Sequence, residues 1–178
     1  MKYPIGIQDF EQIIQDGYVY VDKTDLIYKL VKTGKIYFLS RPRRFGKSLL
    51  VSTLKYYFQG RKDLFKGLAI DSLETKWKEY PVFHIDFNGT NFASDGTLRS
   101  IVEGAVKTWE SIWGKDPIND DYGRRFAYAL KKAHEKTGQR AVVLIDEYDK
   151  PLLDVLDTGY KGLQNGQELP LEEINRNI

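Results

Sequence analysis

Three short apolar runs, separated by helical patterns, constrain the fold of this chain more than any other feature. The runs are IYFLS at 36–40, PVFHIDF at 81–87 and AVVLIDEYD at 141–149. Runs of this length, rich in strand-forming residues, are typical of buried strands. Because strands that alternate with helices favour a parallel arrangement, the sequence predicts an α/β fold with a mostly parallel sheet flanked by helices.

Helical periodicity fills the intervals between these runs. The predicted helices cover 25–34, 49–58, 101–113 and 124–138. Asp22 or Thr24 is expected to cap the first of them. In the tail, Asn165-Gly166 is typical of a hairpin turn, and Pro170 is expected to open a final helix. The apolar face of that last helix is unfinished where the sequence stops, so we expect the chain to be truncated.

Composition excludes several classes of protein. The chain has 178 residues, 42% of them hydrophobic, which is enough for one domain with a sizeable core. It contains no cysteine and two histidines, which excludes disulfides and thiolate metal sites and argues against a histidine-rich zinc site. The net charge of +2 gives no global indication of nucleic-acid binding. With no secretion signal and no apolar run of about 20 residues, we expect no membrane partner and a cytoplasmic location.

Residues 38–50, FLSRPRRFGKSLL, contain the end of a phosphate-binding loop, or Walker A motif, between a predicted strand and a predicted helix. In such a loop Gly46 would let the backbone approach phosphate, Lys47 would bridge the β- and γ-phosphates of ATP, and Ser48 would ligate Mg²⁺. Arg41 stands where the opening glycine is expected. A solvated basic turn that Ser48 caps is therefore the alternative interpretation of this stretch.

A second motif supports the nucleotide site. AVVLIDE is an apolar strand that ends in two adjacent acids, the Walker B pattern. Asp146 would hold Mg²⁺, directly or through water, and Glu147 would deprotonate the attacking water. An apolar run followed by acids is common by itself, because any strand can end in a polar turn. Together with GKS upstream and a strand candidate between them, it predicts a P-loop NTPase of the additional-strand class.

Four stretches resemble one family. YPIGIQDFEQI, YVYVDKT, FLSRPRRFGKSLL and DEYDKPLLD are similar to the AAA-ATPase-like domain of bacterial and archaeal proteins, from about residue 3 to the end of the chain. In that family the loop reads RPRRFGKS, so Arg41 is its usual variant. The resemblance implies a P-loop ATPase fold related to the STAND and AAA groups. Full-length relatives often end in a PD-(D/E)xK-type nuclease domain, which this sequence does not contain.

The expected site residues follow from these motifs. The nucleotide-binding residues are Arg41, Pro42, Arg43, Arg44, Phe45, Gly46, Lys47, Ser48 and Leu49. Lys47 and Glu147 are the expected catalytic residues, and Ser48 and Asp146 are the expected Mg²⁺ ligands. The three arginines would add donors to the phosphates, as an arginine finger does. The alternative for each arginine is a solvated or acid-paired side chain.

The sequence predicts three parts: an N-terminal segment at 1–34, the P-loop ATPase core at 35–160, and a turn with an unfinished helix at 161–178. The predicted function is an ATP·Mg²⁺-binding domain that acts as an ATPase or an ATP-driven switch. One alternative is a non-hydrolysing, nucleotide-gated regulator of an attached nuclease or partner. Another is a nucleic-acid-binding module that uses the RPRR loop. The oligomeric state is left open.

A missing strand limits what this chain can do by itself. In the additional-strand class, the strand after Walker B inserts between the two Walker strands and brings a polar sensor residue to the γ-phosphate. Nothing after Leu153 has the pattern of such a strand. We therefore expect the 178-residue chain to bind nucleotide weakly and to show little or no hydrolysis, with turnover confined to the full-length protein.

Overall fold

The computed structural model describes residues 1–40, 42 and 45–178 as a mixed α/β fold. The helices are α1 (Phe10–Gln15), α2 (Thr24–Thr33), α3 (Lys47–Phe58), α4 (Ala69–Leu73), α5 (Thr97–Trp113), α6 (Tyr122–Thr137), α7 (Lys150–Leu153) and α8 (Leu171–Arg176). The strands are β1 (Val82–Asp86), β2 (Val142–Asp146), β3 (Lys161–Gln164) and β4 (Gln167–Pro170). Among the described residues, none of the helices has the length and apolar composition needed to cross a membrane.

The chain divides into two compact units. Unit 1 comprises residues 1–82 and 142–144, and unit 2 comprises residues 83–141 and 145–178. Each unit has its own buried apolar clusters, described below. The three-part division predicted from the sequence, with boundaries after residues 34 and 160, stays a prediction.

Strands β1 and β2 form a small parallel sheet, as two of the three apolar runs predicted. The amide of Val142 donates to the carbonyl of Pro81 at 2.8 Å, and the amide of Phe87 donates to the carbonyl of Asp146 at 3.2 Å. The expectation that β2 is buried is wrong for one of its faces, because Val143 and Ile145 are exposed. Side chains of a strand alternate between faces, so cover on one side buries only every second residue.

The third apolar run, IYFLS at 36–40, was expected to be a buried strand, and this expectation is wrong. In the part of the chain that the structure describes, the run belongs to neither of the two sheets, and Ile36 and Phe38 are 93% and 70% exposed. A strand requires pairing of its backbone and cover for its apolar face. The segment is instead tied to α2, because the hydroxyl of Tyr37 donates to the carbonyl of Leu30 at 2.6 Å.

Unit 1 packs the predicted helices around a cluster of aromatic side chains. Helices α2 and α3 lie where the periodicity placed them, and they pack with α1 and α4. The rings of Phe10 and Phe65 are both fully buried, with centroids 4.8 Å apart. Tyr57 of α3 contacts Phe65 edge to face at 6.4 Å. Burial of each such ring stabilises the fold by roughly 1.5–3 kcal/mol.

Unit 2 is built on helices α5 and α6, which pack against each other and cover Phe83 of β1. Trp109 and Phe126 surround this fully buried ring at centroid distances of 5.2 and 5.8 Å. Both helices begin earlier than predicted. Gly96, with a φ of 77°, allows the turn into α5, and the Asp121 side chain accepts a hydrogen bond from an amide in the first turn of α6. These caps extend each helix beyond its apolar pattern.

The tail confirms the predicted turn and helix. Strands β3 and β4 pair antiparallel around Asn165-Gly166, whose φ angles of 52° and 78° are those of a type I′ turn. Pro170 precedes α8, as its fixed φ favours. Leu171 and Ile174 of α8 are buried against Val155, so the hairpin and the last helix belong to unit 2.

Candidate functional site

The GKS motif lies at the N-terminus of a long helix, where a phosphate-binding loop requires it. Gly46 has a φ of 73°, a left-handed conformation that glycine adopts without strain, and α3 begins at Lys47. Ser48 and Leu49 follow in the first turn and are half-buried, and Phe45 is exposed. Arg41, Arg43 and Arg44 lie outside the described residues, so their predicted contacts with phosphate stay a prediction.

The start of α3 suits an anion. The helix has 12 residues, and its first turn contains no acidic residue. The first backbone N–H groups of a helix lack partners within it and carry a partial positive charge. Gly46 has no side chain that could cap these groups. The arrangement therefore fits the phosphates of a nucleotide, which backbone N–H groups bind at helix N-termini.

Helix α3 is fastened to the N-terminal helix through Asp9. One oxygen of its carboxylate accepts hydrogen bonds from Ser52 and Tyr56, both at 3.1 Å. The amide of Phe10 donates to the Ser52 hydroxyl at 2.9 Å. Burial and the neighbouring Asp9 carboxylate raise the pKa of Tyr56, which therefore stays a hydrogen-bond donor. The IQDF stretch thus positions the helix that carries GKS, a role that sequence reasoning missed.

The VDKT stretch has a comparable role within unit 1. Asp22 accepts hydrogen bonds from the amide and hydroxyl of Thr24 at 2.8 and 2.7 Å. Its second oxygen accepts one from the amide of Ala69 at 2.7 Å. The Thr24 hydroxyl accepts one from the amide of Ile70 at 3.0 Å. Asp22, expected as a cap for α2, therefore joins the start of α2 to the start of α4.

Asp146 and Glu147, the acids of the predicted Walker B motif, lie at the carboxyl end of β2. Asp146 is 5% exposed, and its Oδ1 accepts a hydrogen bond from the amide of Glu147 at 3.0 Å. Glu147 has a φ of 51°, which is uncommon for a residue with a side chain. Strained backbone of this kind costs about 1–3 kcal/mol and concentrates at functional sites. The residue predicted as the general base is thus one of three residues with side chains in unit 2 that have a positive φ, with Asp157 and Asn165 the others.

The donor atoms at Asp146 fit Mg²⁺. The side-chain amide nitrogen of Asn88 lies 3.5 Å from Asp146 Oδ2. Among the described residues, no three His, Cys, Asp or Glu side chains cluster to hold a metal ion. Mg²⁺ needs no such cluster, because it is commonly held by one or two carboxylates together with phosphate and water oxygens. A buried carboxylate at a strand end satisfies that requirement.

An open cavity of about 550 Å³ lies in unit 2, beside the chain segments that follow β1 and β2. Its lining residues are Gly89, Thr90, Asn91, Ala93, Lys150, Asp154, Thr158 and Tyr160. Sequence reasoning gave Asn88, Lys150 and Asp154 no part in the site. The sequence does contain a signal for Asn88. The NGTN stretch follows β1 at its carboxyl end, and α/β sheets bind ligands beyond the carboxyl ends of their strands.

Comparisons with known proteins point to one family. The model of a family described as a predicted AAA-ATPase matches residues 4–168. An "Uncharacterized protein in vnfD 5'region" from Azotobacter chroococcum mcd 1 is 41% identical to this chain over 156 residues. The match covers 87% of this chain and 30% of the relative, so the chain spans less than a third of that protein. No solved structure matches.

Proposed function

Because the chain belongs to the AAA-ATPase-like family, we propose that it binds ATP with Mg²⁺ and acts as an ATPase or an ATP-driven switch. Its fold would be that of a P-loop NTPase of the additional-strand class, and its location the cytoplasm. Family membership supports nucleotide binding in general. The choice of ATP and Mg²⁺ comes from the occurrence of both motifs, GKS and Asp146-Glu147, in one sequence.

Each motif residue has a role in this proposal. Lys47 and the backbone from Phe45 to Leu49 bind the phosphates, with Pro42 shaping the loop before them. Ser48 and Asp146 hold Mg²⁺, which stabilises negative charge on the phosphates. Glu147 orients the attacking water and accepts its proton. Arg41, Arg43 and Arg44 supply further donors to the phosphates.

The observation that carries the proposal is the end of β2. A buried aspartate is followed directly by a glutamate whose φ of 51° places it in the left-handed region. A turn needed only to end a strand would be served at lower cost by glycine or asparagine. The strained glutamate is the feature expected if the side chain, and not the turn, is what the position requires.

Calorimetric titration with ATP, with and without Mg²⁺, followed by turnover measurements tests the proposal. The variants are wild type and Glu147→Gln in the full-length protein. We expect Glu147→Gln to bind ATP·Mg²⁺ normally and to hydrolyse it about 10²–10⁴-fold more slowly, the usual contribution of a general base. The matched control is Glu168→Gln on the exposed hairpin. Wild-type turnover in Glu147→Gln would show that the base is another residue.

The same experiment distinguishes the ATPase from the first alternative, a non-hydrolysing regulator. A nucleotide-gated regulator of an attached nuclease or other partner would bind ATP·Mg²⁺ but release no phosphate, even as the full-length protein. Binding energy would then serve to shift a conformational equilibrium, which requires different affinities for two states. Normal binding together with no turnover in the wild type would favour this alternative over the ATPase.

Charge distribution favours nucleic acid as a second candidate ligand. Unit 1 contains fifteen Lys and Arg residues against nine Asp and Glu residues, although the whole chain is nearly neutral. A basic unit attracts the phosphate backbone of DNA or RNA through a term that falls steeply with salt. Salt-sensitive nucleic-acid binding that survives Lys47→Ala and ignores ATP would favour a binding module that uses the RPRR loop.

A further inference from the structure

Lys150 fastens the loop after β1 to the chain that follows β2. This loop, residues 88–96, connects β1 to α5. The Lys150 ammonium donates a hydrogen bond to the carbonyl of Thr90 at 2.8 Å and forms an ion pair with Asp154. It also lies 5.5 Å from the centroid of the Phe92 ring, within the range of a cation–π interaction. One cation thus contacts the loop at two points.

Asp154 completes the attachment. Its carboxylate accepts a hydrogen bond from the amide of Phe92 at 3.4 Å, in addition to the ion pair with Lys150. The side chains of Lys150 and Asp154 are 25% and 22% exposed, so solvent screens their interaction less than that of a surface pair. The Phe92 ring is fully buried against Phe87 and Leu98. We call the Lys150–Asp154 pair with its bonds to Thr90 and Phe92 the loop clamp.

The same loop begins with the residue that contacts the Walker B aspartate. Asn88 lies two positions before Thr90, and its side-chain nitrogen is 3.5 Å from Asp146 Oδ2. The amide of Asn88 donates to Asp86 at 2.8 Å, which fixes the backbone where the loop leaves β1. A distance of 3.5 Å is the upper limit for a hydrogen bond. A small displacement of the loop therefore decides whether Asn88 orients the carboxylate.

We infer that Lys150 is a positioning residue for the metal site: through the loop clamp it holds Asn88 where the amide orients Asp146 toward a divalent cation. This inference rests on the proposed function, because it takes Asp146 as the Mg²⁺ ligand. Groups that orient a ligating carboxylate affect metal affinity without touching the metal. Lys150 acts one step further away, so its effect on the cation passes through Asn88.

A merely structural role for Lys150 makes a different prediction. Loss of a structural contact would lower the stability of unit 2 and weaken the binding of every ligand to a similar extent. Loss of a positioning contact weakens binding of the divalent cation and leaves the affinity for metal-free nucleotide unchanged. The measurement that separates the two roles is the affinity for Mn²⁺, a paramagnetic substitute for Mg²⁺, of the preformed nucleotide complex.

The experiment compares wild type, Lys150→Met and Lys107→Met in the full-length protein. Lys107 is the matched control, because it forms an exposed i,i+4 ion pair with Glu103 on α5. ATP is titrated without metal, and Mn²⁺ binding to the complex is then followed by electron paramagnetic resonance. We expect Lys150→Met to raise the Mn²⁺ dissociation constant about 3- to 10-fold, with metal-free ATP affinity within about twofold of wild type. Lys107→Met should change neither.

Asn88→Ala and the double variant Asn88→Ala/Lys150→Met test whether the effect of Lys150 on the cation passes through Asn88. Because Lys150 acts through Asn88, the double variant should bind Mn²⁺ about as weakly as Asn88→Ala alone. If Lys150→Met does not fold, Asp154→Asn replaces it, since this change neutralises the other half of the pair. Mn²⁺ affinity unchanged in the folded variant, or fully additive effects in the double variant, would overturn the inference.

Failure of the proposed function is distinguishable from failure of the clamp. If the wild type binds no nucleotide, the ATP proposal is wrong, and the positioning role for a metal site is wrong with it. The physical clamp still has its own measurement, amide hydrogen exchange in residues 88–92. Exchange there should accelerate about tenfold or more in the folded Lys150 or Asp154 variant. Normal nucleotide binding with unchanged exchange would contradict the clamp and leave the proposed function intact.

Discussion

The carboxylate of Asp9 accepts a hydrogen bond from the hydroxyl of Ser52 at 3.1 Å and thereby joins α1 to the helix that begins at GKS. Asp9 also caps α1, because its other oxygen accepts a hydrogen bond from the amide of Gln12 at 3.0 Å. One side chain therefore both starts the N-terminal helix and attaches it to α3. This attachment and the apolar packing of α3 together position the helix within unit 1.

Replacement of Asp9 by alanine should destabilise the protein by about 1–3 kcal/mol, because it removes a helix cap and an acceptor for the hydroxyls of Ser52 and Tyr56. Equilibrium unfolding in urea measures the change. Asp16→Ala is the matched control, since Asp16 is exposed at the other end of α1. Equal stability of the two variants would contradict the attachment.

A buried ion pair joins the two long helices of unit 2. Arg125 donates to both oxygens of Glu110 at 2.8 and 2.7 Å, and both side chains are nearly inaccessible to solvent. The Arg125 guanidinium lowers the pKa of the Glu110 carboxyl through these hydrogen bonds. Arg125→Ala should cost about 3–5 kcal/mol, because it leaves an uncompensated charge between α5 and α6.

The double variant Glu110→Met/Arg125→Leu should recover most of that loss, because it removes both charges. Lys131→Ala serves as the control, since its ion pair with Glu135 is exposed, and it should change the unfolding free energy by less than about 0.5 kcal/mol. Thermal and urea unfolding give these values. A double variant as unstable as Arg125→Ala would show that packing, and not the uncompensated charge, dominates.

Much of the fold follows from local sequence. The apolar runs at 82–86 and 142–146 and the Asn165-Gly166 turn each specify their structure through residues adjacent in the chain. The run at 36–40 has equally strong strand preferences but is no strand, because pairing depends on a partner that local sequence does not reveal. The expectation that this chain hydrolyses ATP weakly by itself stays a prediction.

The candidate site also has parts that local sequence predicts and parts that it does not. GKS and Asp146-Glu147 are contiguous motifs whose chemistry can be inferred from residue type. The contacts that position them, Asp9 to Ser52 and Asn88 to Asp146, join residues 43 and 58 positions apart. Such pairs are products of tertiary packing. The sequence shows that NGTN follows a strand end, but it does not show which carboxylate Asn88 contacts. The motifs could therefore be predicted, and the residues that hold them in place could not.

Stability should depend on pH through Glu74 in unit 1. Its carboxylate is buried and accepts hydrogen bonds from the Tyr57 hydroxyl at 2.7 Å and the Lys32 ammonium at 2.9 Å. Burial by itself would raise the pKa of Glu74. The hydrogen bonds, first among them that from the amide of Lys76, outweigh burial and lower the pKa from 4.5 to about 2.

Because folding lowers the pKa of Glu74, the carboxylate stabilises the folded state above pH 4.5, and this contribution is lost as pH falls toward 2. Glu74→Gln should cost about 1–3 kcal/mol at pH 7 and less at pH 3. Urea unfolding across this range measures both. Glu79→Gln, an exposed change nearby, should leave the pH profile as in the wild type. A Glu74→Gln profile parallel to wild type would contradict the assignment.

The backbone strain at Glu147 gives a prediction about the balance of stability and activity. Glycine adopts a positive φ freely, so Glu147→Gly should keep or raise the unfolding free energy, by up to about 1 kcal/mol. The same change should abolish ATP turnover in the full-length protein. Glu173→Gly within α8, where φ is helical, is the contrasting control and should cost about 1 kcal/mol. Strong destabilisation by Glu147→Gly would show that its conformation is not strained.

The central claim is that GKS at the start of α3 binds the phosphates of ATP. The most direct measurement is calorimetric titration of ATP·Mg²⁺ into wild type and Lys47→Ala, with Lys55→Ala, two turns further along the same helix, as the control. The account predicts measurable binding in wild type and Lys55→Ala, and a loss of about 10–100-fold or more in Lys47→Ala, because an ammonium–phosphate contact contributes about 1.5–3 kcal/mol. Unchanged affinity in Lys47→Ala would contradict the phosphate-binding loop and, with it, the proposed function.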